Sequence, residues 1–184
     1  MKIRPYEAKD RERVRMICHK TATDAKYIKN PNLVAAIYAD YYVDYEPQNA
    51  FILANDNDLA VGYILCAENY KRFIKNFNKF QYSKVKAISL REAINHRLGF
   101  IVDRLVGKKY PAHLHIDLLP EAQRQGFGSK LVDTLVLHLK TKGVSGVWLG
   151  VGGTNLSGIN FYKKYGFSLI YDLGKTGKFF GLTI

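Results

Sequence analysis

Three side chains that can carry protons or bind metal alternate along one short stretch of the chain: His113, His115 and Asp117. Apolar residues occupy the even positions from 112 to 118, which is the alternation of a half-buried strand, so the three polar groups share one face. A carboxylate or a neutral imidazole in that position can act as a general base, and we predict Asp117 first and His115 second. Each histidine taken singly is equally well explained as a structural residue that is hydrogen-bonded in the core.

The same three groups are also ligand types that zinc accepts. Neighbouring residues on one side of a strand seldom complete a metal shell by themselves, and the sequence has no further cluster of His or Cys. We therefore predict no metal site.

A glycine-bearing run follows the strand and marks the beginning of a helix. Pro120 cannot donate to a sheet and ends the strand, and an apolar stripe with helical spacing starts at Leu131. The run between them is Gln123, Arg124, Gln125, Gly126, Phe127, Gly128 and Ser129. Its two glycines leave the first N–H groups of the helix uncovered, and free N–H groups at a helix N-terminus attract phosphate. Arg124 adds a cation beside them.

Two other phosphate-binding motifs do not fit. A dinucleotide-binding loop requires a third glycine where Leu131 stands. The segment Gly174-Lys175-Thr176 has the ending of a Walker loop, but Leu169 occupies the position of its upstream glycine.

The run at 123–128 resembles the acyl-CoA loop of the GNAT family of N-acetyltransferases, which reads Gln or Arg, two residues, Gly, one residue, Gly or Ala. A second stretch, with Asn155, Phe161-Tyr162 and Gly166-Phe167, is similar to a downstream segment of the same family. Alone, Tyr162 would be read as a core aromatic on a short helix. Together, the two stretches favour an acetyl-CoA (coenzyme A) site.

The resemblance implies a role for each matching residue. Tyr162 would protonate the leaving thiolate, Asn155 would face the pantetheine arm, and the Leu119 N–H would stabilise the developing oxyanion. The residues that the resemblance assigns to cofactor binding are Leu118, Leu119, Gln123, Arg124, Gln125, Gly126, Phe127, Gly128, Ser129, Asn155 and Tyr162.

The order of predicted elements is that of the GNAT fold. Strands are predicted at 3–6, 50–55, 60–67, 112–118, 146–151, 168–173 and 178–183. Asp10 and Asn32 are predicted to cap the first two helices, Gly143 to end the third, and Thr154 or Asn155 to cap the fourth. The prediction is one α/β (α+β) domain over 1–184, with a central mixed, mostly antiparallel twisted sheet flanked by helices.

Residues 68–109 interrupt this order as a helical insertion. Its first apolar stripe is Tyr70, Phe73, Ile74 and Phe77; a second, less regular one is Ile94, Leu98, Ile101, Val102 and Leu105, with Gly99 as a possible break. The segment holds 11 Lys/Arg against three acids, a net +8 of the chain's +12. Such a basic face can be simply solvated or can bind nucleic acid. Because its aromatics fall on the apolar stripe, we predict a lid over the acceptor pocket and make nucleic acid the less favoured partner.

Bulk properties bound the remaining possibilities. A length of 184 residues with 47% hydrophobic residues suits one globular domain. No apolar run is long enough to span a bilayer, and the N-terminus lacks a signal core, so we predict a cytoplasmic protein with no membrane partner. Cys18 and Cys66 are predicted to be reduced core residues.

The prediction is thus an acetyl-CoA-dependent N-acetyltransferase that acts on a small-molecule or peptide amine, as a monomer or homodimer. Acidic residues at 40, 44 and 46 can meet a cationic amine or can form a solvated turn. The alternative is a non-catalytic module that binds acyl-CoA, protein or nucleic acid through the basic insertion. The segments 110–119 and 38–47 also resemble the acetyltransferase-like domain of O-GlcNAcase and its bacterial stand-alone relatives.

Overall fold

The computed structural model describes the backbone of residues 1–184 and the side chains of residues 1–100 and 106–184. Its strands are β1 (Lys2–Pro5), β2 (Ala50–Ala54), β3 (Ala60–Ala67), β4 (Ala112–Leu118), β5 (Gly146–Val151), β6 (Ser168–Asp172) and β7 (Lys178–Thr183). They form one seven-stranded sheet in the order β1-β2-β3-β4-β5-β7-β6, in which the β4–β5 pair is parallel and the other pairs are antiparallel. The predicted α/β class and mixed, mostly antiparallel sheet are confirmed.

The helices flank this sheet. They are α1 (Arg11–Thr21), α2 (Ala25–Ile28), α3 (Pro31–Tyr38), α4 (Asp40–Tyr45), α5 (Tyr70–Asn76), α6 (Tyr82–Ile88), α7 (Leu90–Lys109), α8 (Phe127–Thr141) and α9 (Leu156–Tyr165). Short 3₁₀ turns at Ala8–Asp10, Pro47–Asn49 and Pro120–Ala122 and a π-helical turn at Phe77–Gln81 complete the chain. Among the residues described, no helix combines the length and the apolar character that crossing a membrane requires.

The two faces of the sheet carry different helices. α1 packs against β3 and β4, on the face that holds the three polar residues of β4. α8 packs against β2 and β3 on the opposite face, where Phe51 contacts His138 with ring centroids 5.3 Å apart. Cys18 and Cys66 are buried and unpaired, as predicted. The alternation of β4 therefore places its polar residues on the α1 side of the sheet and its apolar residues on the side that carries α8.

Two helix caps differ from the prediction. Asn30, not Asn32, caps α3, because Pro31 suits the first helical position and the Asn30 side chain accepts a hydrogen bond from the Leu33 N–H at 3.1 Å. Asp10 precedes α1 but does not cap it through its side chain. Its buried carboxylate instead accepts a hydrogen bond from Arg4 at 2.7 Å.

The insertion is helical, as predicted, and its first stripe (Tyr70, Phe73, Ile74 and Phe77) is buried. The prediction for the second stripe is wrong at Ile94 and Leu98, which are exposed because tertiary packing buries a different face of this helix. The possible break at Gly99 is also wrong, since α7 continues through this residue. The predictions for Ile101, Val102 and Leu105 lie outside the described side chains. The outer face is basic and exposed at Lys71, Lys75, Lys79, Lys84, Lys86, Arg91, Arg97, Lys108 and Lys109.

Candidate active site

A wedge opens between β4 and β5, because the two strands pair only at the first two residues of β4. On the other side of β4, the Leu119 N–H donates to the Val61 carbonyl oxygen at 2.8 Å. The prediction that Leu119 supplies the oxyanion donor is therefore wrong, since its N–H is already bonded toward β3. Successive N–H groups of a strand point to opposite sides, so the Leu118 N–H points toward the wedge.

The glycine-bearing loop joins the end of β4 to α8. Gly126 is the N-cap of α8 with φ 81°, and no side chain caps this end. The first helical hydrogen bond runs from the Lys130 N–H to the Gly126 carbonyl oxygen at 3.2 Å, which leaves the N–H groups of residues 127–129 without a helical partner. A Cβ on Gly126 would meet no atom within 4 Å. Uncapped N–H groups next to a glycine with no obstructing neighbour suit a pyrophosphate.

The polar side chains of this loop shape it from within. Gln123 donates from Nε2 to the Leu118 carbonyl oxygen at 2.8 Å, and Gln125 donates from Nε2 to the Glu121 carbonyl oxygen at 2.6 Å. Arg124 is exposed and adopts a positive φ of 59°. The hydrogen bond from Gln123 holds the loop against the edge of β4 that borders the wedge. Arg124 lies on the surface beside the N-terminus of α8.

The second glycine of the loop brings α8 against α9. A Cβ on Gly128 would lie 3.2 Å from the Phe161 ring, so a side chain there would push the two helices apart. Asn155 caps α9 by accepting a hydrogen bond from the Gly158 N–H at 2.9 Å through Oδ1. Because Oδ1 is used in this cap, the side-chain nitrogen Nδ2 is the atom of Asn155 that could make the predicted contact with the pantetheine arm.

Tyr162 lies next to Phe161 on α9 with a side chain that is 9% exposed. Its ring packs against Phe167 and Phe180, with centroid distances of 5.6 and 5.9 Å. Burial, followed by the negative charge of Asp117, raises the pKa of the Tyr162 hydroxyl. The hydroxyl therefore keeps its proton at neutral pH and can donate it.

Asp117 lies on the polar face of β4, directly opposite Tyr63 of β3. The Tyr63 hydroxyl donates to Asp117 Oδ2 at 2.5 Å. Burial raises the pKa of Asp117 to about 6, although the hydrogen bond from Tyr63 favours the ionised form and works against that rise. A carboxylate with a pKa just below neutrality suits a general base.

The two histidines of β4 are neutral. Burial lowers the pKa of His115 to about 3 and holds that of His113 well below its usual value. His113 Nδ1 is hydrogen-bonded to the Tyr42 hydroxyl at 2.8 Å, which makes it a structural histidine. His115 packs edge-on against Tyr38 with ring centroids 5.3 Å apart. Its lower pKa makes His115 a weaker base than the Asp117 carboxylate, so Asp117 remains the first candidate.

A cleft of about 790 Å³ covers this polar face. Its floor includes His115, Asp117 and Trp148, and its walls come from α1 to α3, from α7 and from the β6–β7 loop. The α7 wall consists of Glu92, Asn95, His96, Gly99 and Phe100. The volume is in the range of small-molecule sites, and the insertion forms one side of it.

The acidic residues at 40, 44 and 46 do not line this cleft. Asp40 is buried and paired with Arg15, and Asp44 is paired with Arg11 at 2.9 Å. Glu46 accepts a hydrogen bond from the Tyr41 hydroxyl at 3.1 Å. Glu46 also faces Arg72 at 3.4 Å. Of the two possibilities that the sequence left open for this segment, a meeting with the amine is therefore not supported, because each acid already has an internal basic partner. Among the described residues, no group of His, Cys, Asp or Glu side chains is arranged to hold a metal ion.

Sequence reasoning missed Tyr63 and the aromatic walls of the cleft. Tyr63 is separated from Asp117 by 54 residues, and the β3–β4 register brings them together. A correct pairing of the two predicted strands would have found it. The local sequence pattern does not indicate that Tyr38 or Phe100 lines the cleft. Both lie on helices, and tertiary packing determines which side of each helix faces the cleft.

Comparison with known proteins gives a consistent result. The sequence pattern of a family described as "Acetyltransferase (GNAT) family" matches residues 16–167. The chain is 39% identical over 49 residues to [ribosomal protein bS18]-alanine N-acetyltransferase of Escherichia coli (strain K12), a match that covers 27% of this chain and 33% of that protein. The chain thus spans about one third of the length of the curated relatives it matches.

Solved structures resemble the whole chain. The crystal structure of SsHAT has a TM-score of 0.87 and 31% sequence identity, and the match covers 99% of this chain and 97% of that one. The PaiA N-acetyltransferase from Thermoplasma acidophilum, solved in complex with coenzyme A, has a TM-score of 0.63 at 16% identity, with 100% and 98% coverage. The second likeness concerns the fold alone and confirms the predicted arrangement of sheet and helices.

Proposed function

The chain belongs to the acetyltransferase (GNAT) family, and we propose that it is an acetyl-CoA-dependent N-acetyltransferase acting on a primary amine. The observation that carries this proposal is the junction at the end of β4. Leu118 borders the wedge and is bonded to the glycine loop, while its neighbour Asp117 faces the cleft. One short strand thus connects a phosphate-binding helix terminus to a base beside an amine-sized cleft. Acetyl transfer to a panel of amines, measured beside coenzyme A binding alone, tests the proposal.

Coenzyme A fits the residues present. The uncapped N–H groups of residues 127–129 and the Arg124 guanidinium would hold the pyrophosphate, and the wedge beside Leu118 would hold the pantetheine arm. Leu119, Gln123, Gln125 and Asn155 would shape this path. Bound acetyl-CoA supplies an acyl thioester at the inner end of the wedge.

The protein's own groups then manage protons and charge. The amine nitrogen attacks the thioester carbonyl carbon, so a C–N bond forms as the C–S bond breaks, and the amine proton passes to Asp117 directly or through water. The Leu118 N–H stabilises the oxyanion, and Tyr162 protonates the thiolate. Burial raises the pKa of the Cys18 thiol in the cleft to about 12. A thiol that weakly acidic is a poor nucleophile, which supports direct attack over an acyl-cysteine relay.

Gly126→Val is expected to weaken coenzyme A binding by roughly 10–100-fold, the loss of one or two charge-assisted hydrogen bonds. The valine side chain would enter the open space at the N-cap of α8, next to the uncapped N–H groups. Calorimetric titration with coenzyme A measures the effect.

Gly143→Val is the matched control at the other end of α8. Gly143 also has a positive φ (68°) and open space around its Cβ, so both substitutions strain the backbone alike. The loop site would be supported if both variants lose the same thermal stability but only Gly126→Val loses affinity for coenzyme A. Unchanged affinity in Gly126→Val would contradict it.

The alternative is a binding module that uses the basic insertion. The exposed lysines of this segment support it, whereas the burial of Tyr70, Phe73 and Phe77 leaves few aromatics for stacking on bases. Residues of α7 form one wall of the cleft, which favours a lid over the acceptor pocket rather than a nucleic-acid surface. We propose that the insertion shapes the acceptor pocket. Its deletion would open the core, so surface substitutions are the appropriate test.

Reversing Lys71, Lys75, Lys79 and Lys86 to Glu is expected to leave amine turnover unchanged, because these side chains lie on the outer face. The parent protein is expected to retain little DNA or RNA at near-physiological salt, measured by filter retention across a salt series. Tight retention by the parent that the variant loses, with turnover constant, would establish the alternative instead.

The finer expectations accompany this proposal. We propose one domain over 1–184, a cytoplasmic location, and a monomer or homodimer. We also propose kinship with the acetyltransferase-like domain of O-GlcNAcase and its bacterial stand-alone relatives, on the segments 110–119 and 38–47.

A further inference from the structure

We propose that the acceptor is a primary amine carried on an uncharged, ring-bearing body, and that the α7 wall at Gly99 makes room for that ring. The inference rests on the proposed acetyl transfer and deepens it. Its observations are the rings that line the cleft, the distribution of charge along it, and a gap in one wall.

The cleft presents rings to its occupant. Tyr27, Tyr38, His115 and Phe179 all line it and are half-buried, so part of each ring faces the open space. Tyr27 and Tyr38 form an edge-to-face pair with centroids 5.3 Å apart, joined by their hydroxyls at 3.0 Å. Rings fixed by such contacts offer flat apolar surfaces, and a ligand ring can stack on them or meet them edge-on.

Among the described residues that line the cleft, the carboxylate without a cationic partner lies at the reaction end. His115 is neutral, and Asp117 has no cationic partner among the described residues, so it is free to receive the ammonium group of an amine. Away from that end, the lining carboxylates of Glu92 and Asp24 both face Lys26, at 2.9 and 3.8 Å.

The far wall of the cleft is basic. Lys175 of the β6–β7 loop and Lys178 at the start of β7 line this wall, and Lys178 is paired with Asp172, which does not line the cleft. A second ammonium group on the acceptor would therefore meet lysines, and carboxylates that already face Lys26, which disfavours a polyamine.

The gap in the wall is at Gly99. Glycine is a poor residue for a helix interior, yet Gly99 lies in the middle of α7 and lines the cleft. A Cβ at this position would meet no atom of the described residues within 4 Å, so packing against those neighbours does not require the glycine. The missing side chain leaves space next to Phe100 in the α7 wall of the cleft.

The test compares acetylation of phenethylamine, hexylamine, spermidine and an alanine-initiated tetrapeptide. We expect kcat/KM for phenethylamine to exceed that for each of the others by roughly tenfold or more, the scale on which an apolar pocket discriminates. Gly99→Phe should lower kcat/KM for phenethylamine by roughly tenfold through KM, with coenzyme A affinity unchanged. Leu98→Phe, which places the same ring at an exposed position of the same helix that does not line the cleft, should have no effect. A preference for spermidine or the peptide, equal rates for all four, or normal kinetics in Gly99→Phe would overturn the inference.

A binding measurement separates this inference from the proposed function. Trp148 is the single tryptophan of the sequence and lines the cleft, so its fluorescence reports occupancy in the presence of coenzyme A. Ring-selective binding that Gly99→Phe abolishes would support the inference even if no amine is acetylated, in which case acetyl transfer alone fails. Turnover of amines without ring-selective binding would refute the inference and leave the transferase intact.

Discussion

Asp117→Asn is expected to lower kcat by roughly 10²–10⁴-fold, the range of general-base contributions, with coenzyme A affinity unchanged. Asparagine keeps the size of the side chain and can still accept the Tyr63 hydrogen bond, but it cannot take a proton from the attacking amine. Steady-state kinetics on an amine that the parent acetylates, together with calorimetry for coenzyme A, measures both quantities. Parent-like kcat in a folded Asp117→Asn would eliminate Asp117 as the base.

The pH profile provides an independent check of the same residue. Only the ionised carboxylate accepts a proton, so kcat/KM should rise with pH and level off above about 6, the pKa that burial gives Asp117. Tyr63→Phe removes a hydrogen bond that favours the ionised form, so this acid limb should move to higher pH. A purely structural role for Tyr63 would lower the rate at every pH without moving the limb.

Tyr162→Phe is expected to reduce kcat by roughly 10–10³-fold, because it removes only the hydroxyl that protonates the leaving thiolate. Burial keeps that hydroxyl protonated across the neutral range, so the proton is available whenever the thiolate forms. Cofactor affinity should change little, since the ring and its contacts with Phe167 and Phe180 remain. Single-turnover measurements with acetyl-CoA distinguish a slow chemical step from slow product release.

Tyr165→Phe is the matched control on the same helix. The Tyr165 hydroxyl donates to Asp133 at 2.6 Å, outside the cleft, so its removal tests the general effect of losing a phenol from α9. A drop in kcat in Tyr162→Phe but not in Tyr165→Phe would assign the effect to the thiolate. Equal drops in both variants would point to a disturbed helix and reject the acid role.

Local patterns predicted most of the framework correctly. The bounds of β3, β5 and β7 agree with the sequence prediction, because period-two alternation and flanking turn residues act within a few positions of one another. The start of α8 near Gly126 was also predicted from neighbouring residues, because a glycine directly before an apolar stripe with helical spacing marks the beginning of a helix. The exposed Ile94 and Leu98 show where local reasoning ended: the period of α7 predicted a helix, but not which face it would bury.

By itself, the sequence determined the order of elements, the loop with its uncovered N–H groups, and the identities of Asp117 and Tyr162 as candidate proton carriers. The tertiary structure decided that the Leu118 N–H faces the wedge. The Leu119 N–H does not, because it donates a hydrogen bond to the Val61 carbonyl oxygen of β3. It also decided the proton states of Asp117 and His115 and built the α7 wall of the cleft. The physical reason is that hydrogen-bond direction, desolvation and cleft shape depend on groups far away in sequence, and only the packed chain brings them into contact.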